Sequence, residues 1–210
     1  GNGYDVHRFG EPAVATALTI GGVSIPYERP LLAHSDGDVL VHALCDAVLG
    51  ALALGDIGHH FPDSDTRYRG ISSLQLLQHV MALAAERGWS LATAESCTGG
   101  LISAACTELA GSSQWFERGL VTYSNDAKHE SLGVDAALIA RVGAVSEPVA
   151  QAMALGALRH SKAQVSVAVT GVAGPTGGSA SRPVGTVCFA WALPSDSGPT
   201  LGADTAWVKT

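Results

Sequence analysis

The sequence predicts an α/β protein made of two truncated α/β modules joined through a shared helix–strand unit, the second a layered αβα-type sheet. Three observations predict it. Helical and strand-like stretches alternate through the second half, the pattern of a layered α/β fold. The run "LLQHVMALAAERGWSL" fits both the end of one pattern and the start of another, with no Pro/Ser/Gly-rich spacer between them. Chemistry-bearing residues also fall in two sets, one rich in His and Asp before residue 66 and one bearing a serine after residue 90. The modules are read as 1–90 and 91–210, with the helix at 71–88 supplying the first helix of the second.

Each element has its own local reason. "LTIGGVSIPY" (18–27) alternates as a strand does, with a bend at Gly21-Gly22. "DGDVLVHALCDAVLGALAL" (36–54) is a helix apolar almost all round, so it is expected to be buried. "GDIGHHFPDSD" (55–65) reads as a polar loop. "ISSLQLLQHVMALAAERG" (71–88) is an amphipathic helix with Leu74, Leu77, Met81 and Ala84 on its apolar side and Gly88 as its stop. "WSLATAESCTGG" (89–100) runs a strand into an acid, a serine and a cysteine, then breaks on two glycines. A short helix (99–109), a strand at "GLVTYS" and helices at 135–142 and 146–160 follow. The strand "QVSVAVTGVAG" (164–174), the loop "GPTGGSASRP", the strand "VGTVCFAWAL" (184–193) and an edge-strand tail to Thr210 complete the chain.

Composition narrows the function classes. A formal charge of −7 with no Lys/Arg cluster argues against nucleic acid or an anionic membrane as partner. The apolar runs are interrupted and fall short of the ~20 residues that a membrane span needs. Cys45, Cys97, Cys106 and Cys188 form no CxxC pair, and no signal-peptide pattern precedes the first motif. Reduced thiols in a cytoplasmic protein are the expectation.

Five of the eight histidines lie before residue 61, among seven aspartates before residue 66. Asp5 and His7 are two apart, so a strand would project both from one face. Asp38, His42 and Asp46 share one helical face at i, i+4 spacing. One aspartate with two histidines and an open fourth position is the donor pattern of a catalytic zinc, with the flanking aspartates available to orient imidazoles. Spacing alone leaves a second reading open, in which His42 is a hydrogen-bonded core residue of a buried helix.

"GYDVHRFG", "IGGVSIPYE", "LLAHSDGDVLVHALCDAVLGALALGDIGHHFPDSD" and "YRG" together resemble 2-C-methyl-D-erythritol 2,4-cyclodiphosphate synthase, from residue 1 to about 91. The resemblance implies zinc held by Asp5, His7 and His42. It also implies a methylerythritol phosphate pocket lined by His34, Ser35, Asp56, Gly58 and the "FPDSD" segment. In that family a substrate phosphate attacks the neighbouring diphosphate and expels CMP, with metal ions neutralising the crowded oxygens. The family's later threonine-rich segment, which helps hold a second metal and the cytidine diphosphate, has no match here. The resemblance therefore implies half of a site.

In the second half, Ser96 stands where a strand ends and a Gly-Gly turn opens a helix, close to the free N–H groups of a helix N-terminus. A serine there serves as a helix cap or as a nucleophile, and position alone leaves both open. "LATAESCTGGLIS", "GSSQWFERGLVTYSNDAKHESLGV", "GAVSEPVAQAMALGAL", "VAVTGVAGPTGGS" and "PVGTVCFAWA" resemble the C-terminal domain of competence-damage-inducible protein A, over about 71 to 193. That family hydrolyses the amide of nicotinamide mononucleotide to nicotinic acid mononucleotide and ammonia, with no cofactor required. The resemblance implies Ser96 as nucleophile, Tyr123 and Lys128 as its polar partners, and Thr98, Gly99 and Gly100 as oxyanion donors. It implies Thr170, Gly171 and Gly174 of "TGVAGPTGG" as a cradle for the ribose phosphate, and Cys97 as a packed thiol. The family's "GDR..VR" segment and final helix have no match here, and no phosphate role passes to Arg182.

Both resemblances imply a small-molecule nucleotide or phosphorylated substrate and a homo-oligomer. Amide hydrolysis is the favoured activity, cyclodiphosphate synthesis the alternative, and a folded fusion without turnover the third reading.

Overall fold

A computed structural model describes Gly3 and residues 5–14, 17–194 and 198–207. The chain divides into two units: residues up to Gly88 with Ala105–Trp115, and Trp89–Ala104 with Phe116 onward. Ala105–Trp115, read from sequence as part of the second module, groups with the first unit. One tie is Gln78, whose Nε2 donates to Ala110 O at 2.7 Å.

The first unit opens with a hairpin where the sequence suggested one bent strand. β1 (Ala17–Ile20) pairs antiparallel with β2 (Val23–Pro26). Gly21 and Gly22 both take positive φ (61° and 79°), as a two-residue turn of this hand requires. The turn's two amides donate to the Asp38 carboxylate at 2.9 and 2.6 Å. The same carboxylate caps α1 (Val39–Ala51) by accepting Val41 N–H. Within α1, Val41, His42, Ala43, Cys45, Ala47, Val48 and Leu49 are buried, as an all-round apolar helix demands. α3 (Ser73–Ala85) packs against it through a face that includes Leu77, Val80, Met81 and Ala84. The stretch 55–65, read as a loop, holds a short helix, α2 (Ile57–His60), because Asp56 caps it and Asp46 accepts Ile57 N–H at 2.8 Å. Gly3 lies so close to α1 that a Cβ there would sit 1.7 Å from Ala43 O. That approach brings the segment carrying Asp5 and His7 onto the helix.

The second unit is a five-stranded sheet in the order β4-β3-β5-β6-β7. β3 (Leu91–Glu95) is parallel to both β4 (Phe116–Val121) and β5 (Val165–Gly171), while β6 (Thr186–Leu193) and β7 (Thr200–Trp207) continue antiparallel. All five residues of β3 are buried, as befits a central strand covered on both faces. One face packs α7 (Glu147–Arg159) over an alanine-rich layer that includes Ala92, Ala94, Ala168, Ala190 and Ala192. On the other face Thr93 meets Ser103 of α4 (Leu101–Glu108) at 2.8 Å between hydroxyls. The tail forms the edge strand read from sequence as far as Trp207; its last three residues lie outside the described ones.

Two differences bear on function. β4 ends at Val121 instead of running through Ser124, because the Thr122 and Tyr123 carbonyls leave the ladder to meet a lysine. That lysine sits on a helix the sequence reading passed over, α5 (Asn125–Leu132), which precedes α6 (Ala136–Val142). α5 is polar, so no apolar stripe announces it. Its signals are the cap Ser124, which accepts Ala127 N–H at 3.0 Å, and Gly133 just past its end.

Candidate functional site

Three parallel strands end side by side in the second unit, and the residues just past their ends form a cleft of about 370 Å³. The carboxyl ends of parallel strands are where open α/β sheets bind ligands. Ser96 extends β3 by donating its N–H to Val169 O at 2.9 Å, and Thr122 extends β4 onto Glu95 O at 2.7 Å.

Lys128, 1 % exposed, reaches into this corner from α5. Its Nζ lies 2.8 Å from Ser96 Oγ, 2.8 Å from Thr122 O and 3.2 Å from Tyr123 O. Two carbonyls fix two N–H bonds, and the remaining tetrahedral position faces the serine hydroxyl. Burial pushes the lysine below its ordinary pKa, opposed by the nearby Cys97 thiol. Lys128 Nζ donates to Ser96 Oγ at 2.8 Å, and on losing a proton the amine would turn a lone pair to the Ser96 hydroxyl, the geometry of a base activating a serine nucleophile. Cys97 shares the cleft, but burial raises its thiol above the usual value, against the pull of local amides and Lys128. A protonated thiol is a poor nucleophile.

Sequence reasoning missed what organises the turn after Ser96. Glu95 is fully buried and its carboxylate collects the first turn of α4. Oε2 accepts Thr98 Oγ1 (2.7 Å), Gly100 N (3.0 Å) and Ile102 N (3.1 Å), while Oε1 accepts Ser103 N (2.8 Å) and Ser103 Oγ (2.6 Å). Burial works to raise this carboxyl, yet the hydrogen bonds outweigh it and hold it below the usual range. An acid at a strand end followed by T-G-G is the sequence signal that could have found it.

The same bonds occupy several of the groups expected to serve as oxyanion donors. The Thr98 hydroxyl and Gly100 N–H are spent on Glu95, and Gly99 N–H donates to Ser96 O at 3.1 Å. None of the three lines the cleft; Cys97, next to Ser96, does. Thr170, Gly171 and Gly174 line it, with the Thr170 hydroxyl donating to Ala144 O at 3.1 Å. Tyr123 lines it too, but its ring is 73 % exposed, and it touches Lys128 through its backbone carbonyl. Asn125, at the start of α5, was also missed.

The first unit carries a second cleft of about 500 Å³. At its wall His42 Nδ1 lies 2.8 Å from Asp5 Oδ2, His7 Nε2 lies 3.1 Å from the same oxygen, and the two nitrogens are 3.3 Å apart. Ligand atoms around a tetrahedral zinc with bonds of ~2.0–2.1 Å stand about 3.3 Å from one another. The three donors therefore fit a divalent ion on one side, and carboxylate with imidazole is the right chemistry for zinc. Burial would raise the Asp5 carboxyl, but the close contact with His42 and the two neighbouring imidazoles hold it below its usual value.

His34, Ser35 and Gly58 line this cleft, as do Phe61 and Asp63 of "FPDSD". Asp56 does not, being turned to cap α2 by accepting His59 N–H at 2.9 Å. Asp38 and Asp46, expected to orient imidazoles, bind backbone amides instead: Asp38 those of Gly21, Gly22 and Val41, Asp46 that of Ile57. His42 Nε2 meets two serines, Ser73 Oγ at 2.8 Å and Ser35 Oγ at 3.0 Å. Ser73 was not singled out in the sequence.

Comparison with known proteins divides the chain the same way. Residues 1–98 match the YgbB family and residues 73–200 match the CinA C-terminal domain, so the matches overlap across α3 and β3. A 2-C-methyl-D-erythritol 2,4-cyclodiphosphate synthase of Azotobacter vinelandii is 59 % identical over 96 residues, covering 46 % of this chain and 59 % of that protein. A nicotinamide-nucleotide amidohydrolase of Enterobacter agglomerans is 59 % identical over 106 residues, covering 50 % of this chain and 65 % of that protein. The chain thus spans less than two thirds of the length of either relative. Among solved structures, the competence/damage inducible protein CihA of Agrobacterium tumefaciens has 46 % identity and a TM-score of 0.59, covering 63 % of this chain and 78 % of that one. Among the described residues no helix is long and apolar enough to cross a membrane.

Proposed function

The chain belongs, over residues 73–200, to the CinA C-terminal domain family, and on that premise we propose that its second unit hydrolyses the amide of nicotinamide mononucleotide, giving nicotinic acid mononucleotide and ammonia. The observation that carries this reading is the buried Lys128 Nζ at 2.8 Å from Ser96 Oγ, with no carboxylate paired to it among the described residues. In this reading Ser96 Oγ attacks the amide carbon as Lys128 takes its proton. Lys128 returns that proton to the departing nitrogen, releasing ammonia, and water then cleaves the Ser96 ester. The N–H groups of Cys97 and Thr98 are outside the set that Glu95 uses, so Thr98 stays a proposed oxyanion donor through its N–H, with Cys97 N–H in place of Gly99 and Gly100. Tyr123 stands at the cleft mouth, and the loop from Thr170 through Gly174 offers backbone groups to the ribose phosphate. No cofactor enters this chemistry. The test is ammonia release from nicotinamide mononucleotide: wild type releases it, Ser96→Ala and Lys128→Met do not, and undiminished release by Ser96→Ala refutes the assignment.

A second reading applies to the first unit, on the separate observation of the Asp5, His7 and His42 donor set. These residues would hold zinc, which when bound supplies a positive charge able to neutralise phosphate oxygens. His34, Ser35 and Gly58 line the adjoining cleft and suit a phosphorylated substrate. Zinc co-purifying with wild type but not with His42→Ala supports this; zinc absent from both refutes it. A cytoplasmic homo-oligomer is the setting proposed for both sites.

A further inference from the structure

We propose that Asp36 and Ser73 form a positioning relay that dictates which nitrogen of His42 is left bare for a divalent cation. The inference rests on reading Asp5, His7 and His42 as a metal set, and concerns two residues outside that set. It follows from proton placement. Ser73 Oγ makes a short contact with Asp36 Oδ1, and Ser73 N–H donates to Asp36 Oδ2 at 3.0 Å. A carboxylate only accepts, so the Ser73 hydroxyl proton points at Asp36. Ser73 Oγ then presents only lone pairs to His42 Nε2, 2.8 Å away, and Nε2 must be the donor.

Neutral imidazole carries a single N–H. With the proton on Nε2, Nδ1 is a bare acceptor, and Nδ1 is the atom 2.8 Å from Asp5 Oδ2 and 3.3 Å from His7 Nε2. Acceptors gathered at such distances repel until a cation lies among them. Ser35 Oγ, 3.0 Å from Nε2, does not decide the tautomer, because its proton is free to rotate; its one fixed duty is accepting Gly37 N–H at 3.2 Å. Ser73 is fully buried and has no such freedom. It is also the first residue of α3 and the first residue of the second family match. The helix common to both matches thus supplies a residue to the first unit's site.

Zinc affinity of the full chain, measured by competition with a chromophoric chelator, tests the relay. Proton–nitrogen spectra of the zinc-loaded, histidine-labelled protein supply a second readout. Wild type is expected to bind zinc through His42 Nδ1 and to show a slowly exchanging Nε2–H. Ser73→Ala should lower zinc affinity by about 10–100-fold and lose the exchange protection. Asp36→Asn keeps an oxygen for the Ser73 amide and should weaken zinc in the same direction; it carries the test if Ser73→Ala does not fold. Ser72→Ala removes only the α3 cap bond to Leu74 N (3.3 Å) and should leave zinc affinity unchanged. Wild-type zinc affinity in both Ser73→Ala and Asp36→Asn, or zinc on Nε2, overturns the relay and leaves the metal set standing. A wild-type chain that binds no zinc, or undiminished binding in His42→Ala, overturns both.

Discussion

Glu95→Gln puts a number on how firmly the turn after Ser96 is held. The wild-type carboxylate accepts five hydrogen bonds, three on Oε2 and two on Oε1. Glutamine keeps one oxygen and turns the other into an NH2 group that can only donate. If the oxygen stays with Thr98, Gly100 and Ile102, the new NH2 faces Ser103. The Ser103 hydroxyl can rotate to accept, but the Ser103 N–H cannot, and a buried donor without a partner costs about 1–3 kcal/mol. The three retained bonds fall from charge-assisted to neutral, costing about 0.5 kcal/mol each. The sum is about 3 kcal/mol, or about 150-fold in a local opening equilibrium at about 1.4 kcal/mol per decade. Native-state hydrogen exchange reads it directly: Gly100, Ile102 and Ser103 amides should exchange about 100-fold faster than in wild type. Exchange within threefold of wild type would refute the claim that this carboxylate organises the turn after Ser96. The pH dependence has a definite sign. Glu95 sits below its usual value of 4.5 in the folded chain, so its contribution is complete above that value and is lost as pH falls through the folded one. Wild type and Glu95→Gln should therefore converge in acid.

Other outcomes follow from single side chains. Cys97→Ala should keep amidohydrolase activity within a few-fold, since the raised thiol is not the nucleophile; loss comparable to Ser96→Ala in a rate assay contradicts that. Activity should rise with pH through a Lys128 pKa below the ordinary 10.5, seen as the acidic limb of kcat/KM; a limb at or above 10.5 would contradict the buried-amine reading. Between that lowered value and 10.5 the unfolded chain binds the extra proton, so stability should increase with pH there in a denaturant titration. Gly3→Ala would place a Cβ 1.7 Å from Ala43 O, displacing the segment that carries Asp5 and His7. Its zinc affinity should fall at least tenfold with α1 helicity retained, and unchanged affinity would refute the positioning argument.

Much of this was legible in the sequence because it rests on local pattern. The buried α1, the amphipathic α3, the apolar β5 and the edge strand β7 all follow from periodicity and turn residues. The pairing of Ser96 with Lys128 was legible only through resemblance, since they are 32 residues apart and α5 has no apolar stripe. What stayed hidden was the destination of the carboxylates. Asp38, Asp46 and Asp56 looked like chemistry and turned out to satisfy helix and hairpin amides. Glu95 and Asp36 looked ordinary and turned out to hold the side chains around each site. Spacing shows which faces an acid shares, whereas the donor it meets depends on chain segments brought in from elsewhere.

Asp38 gives the first unit a single latch. A ribbon of two four-residue strands is marginal in water by itself. Its turn amides hang on the same anion that starts α1, so hairpin and helix are tied through one side chain. Burial raises this carboxyl above its usual value, against the three amides that oppose it. The folded chain therefore takes up this proton before the unfolded chain does, so acidification through the raised value favours the folded chain at this site, the opposite sign to Glu95. Amide exchange at Gly21, Gly22 and Val41 should accordingly stay slow as pH falls through that value.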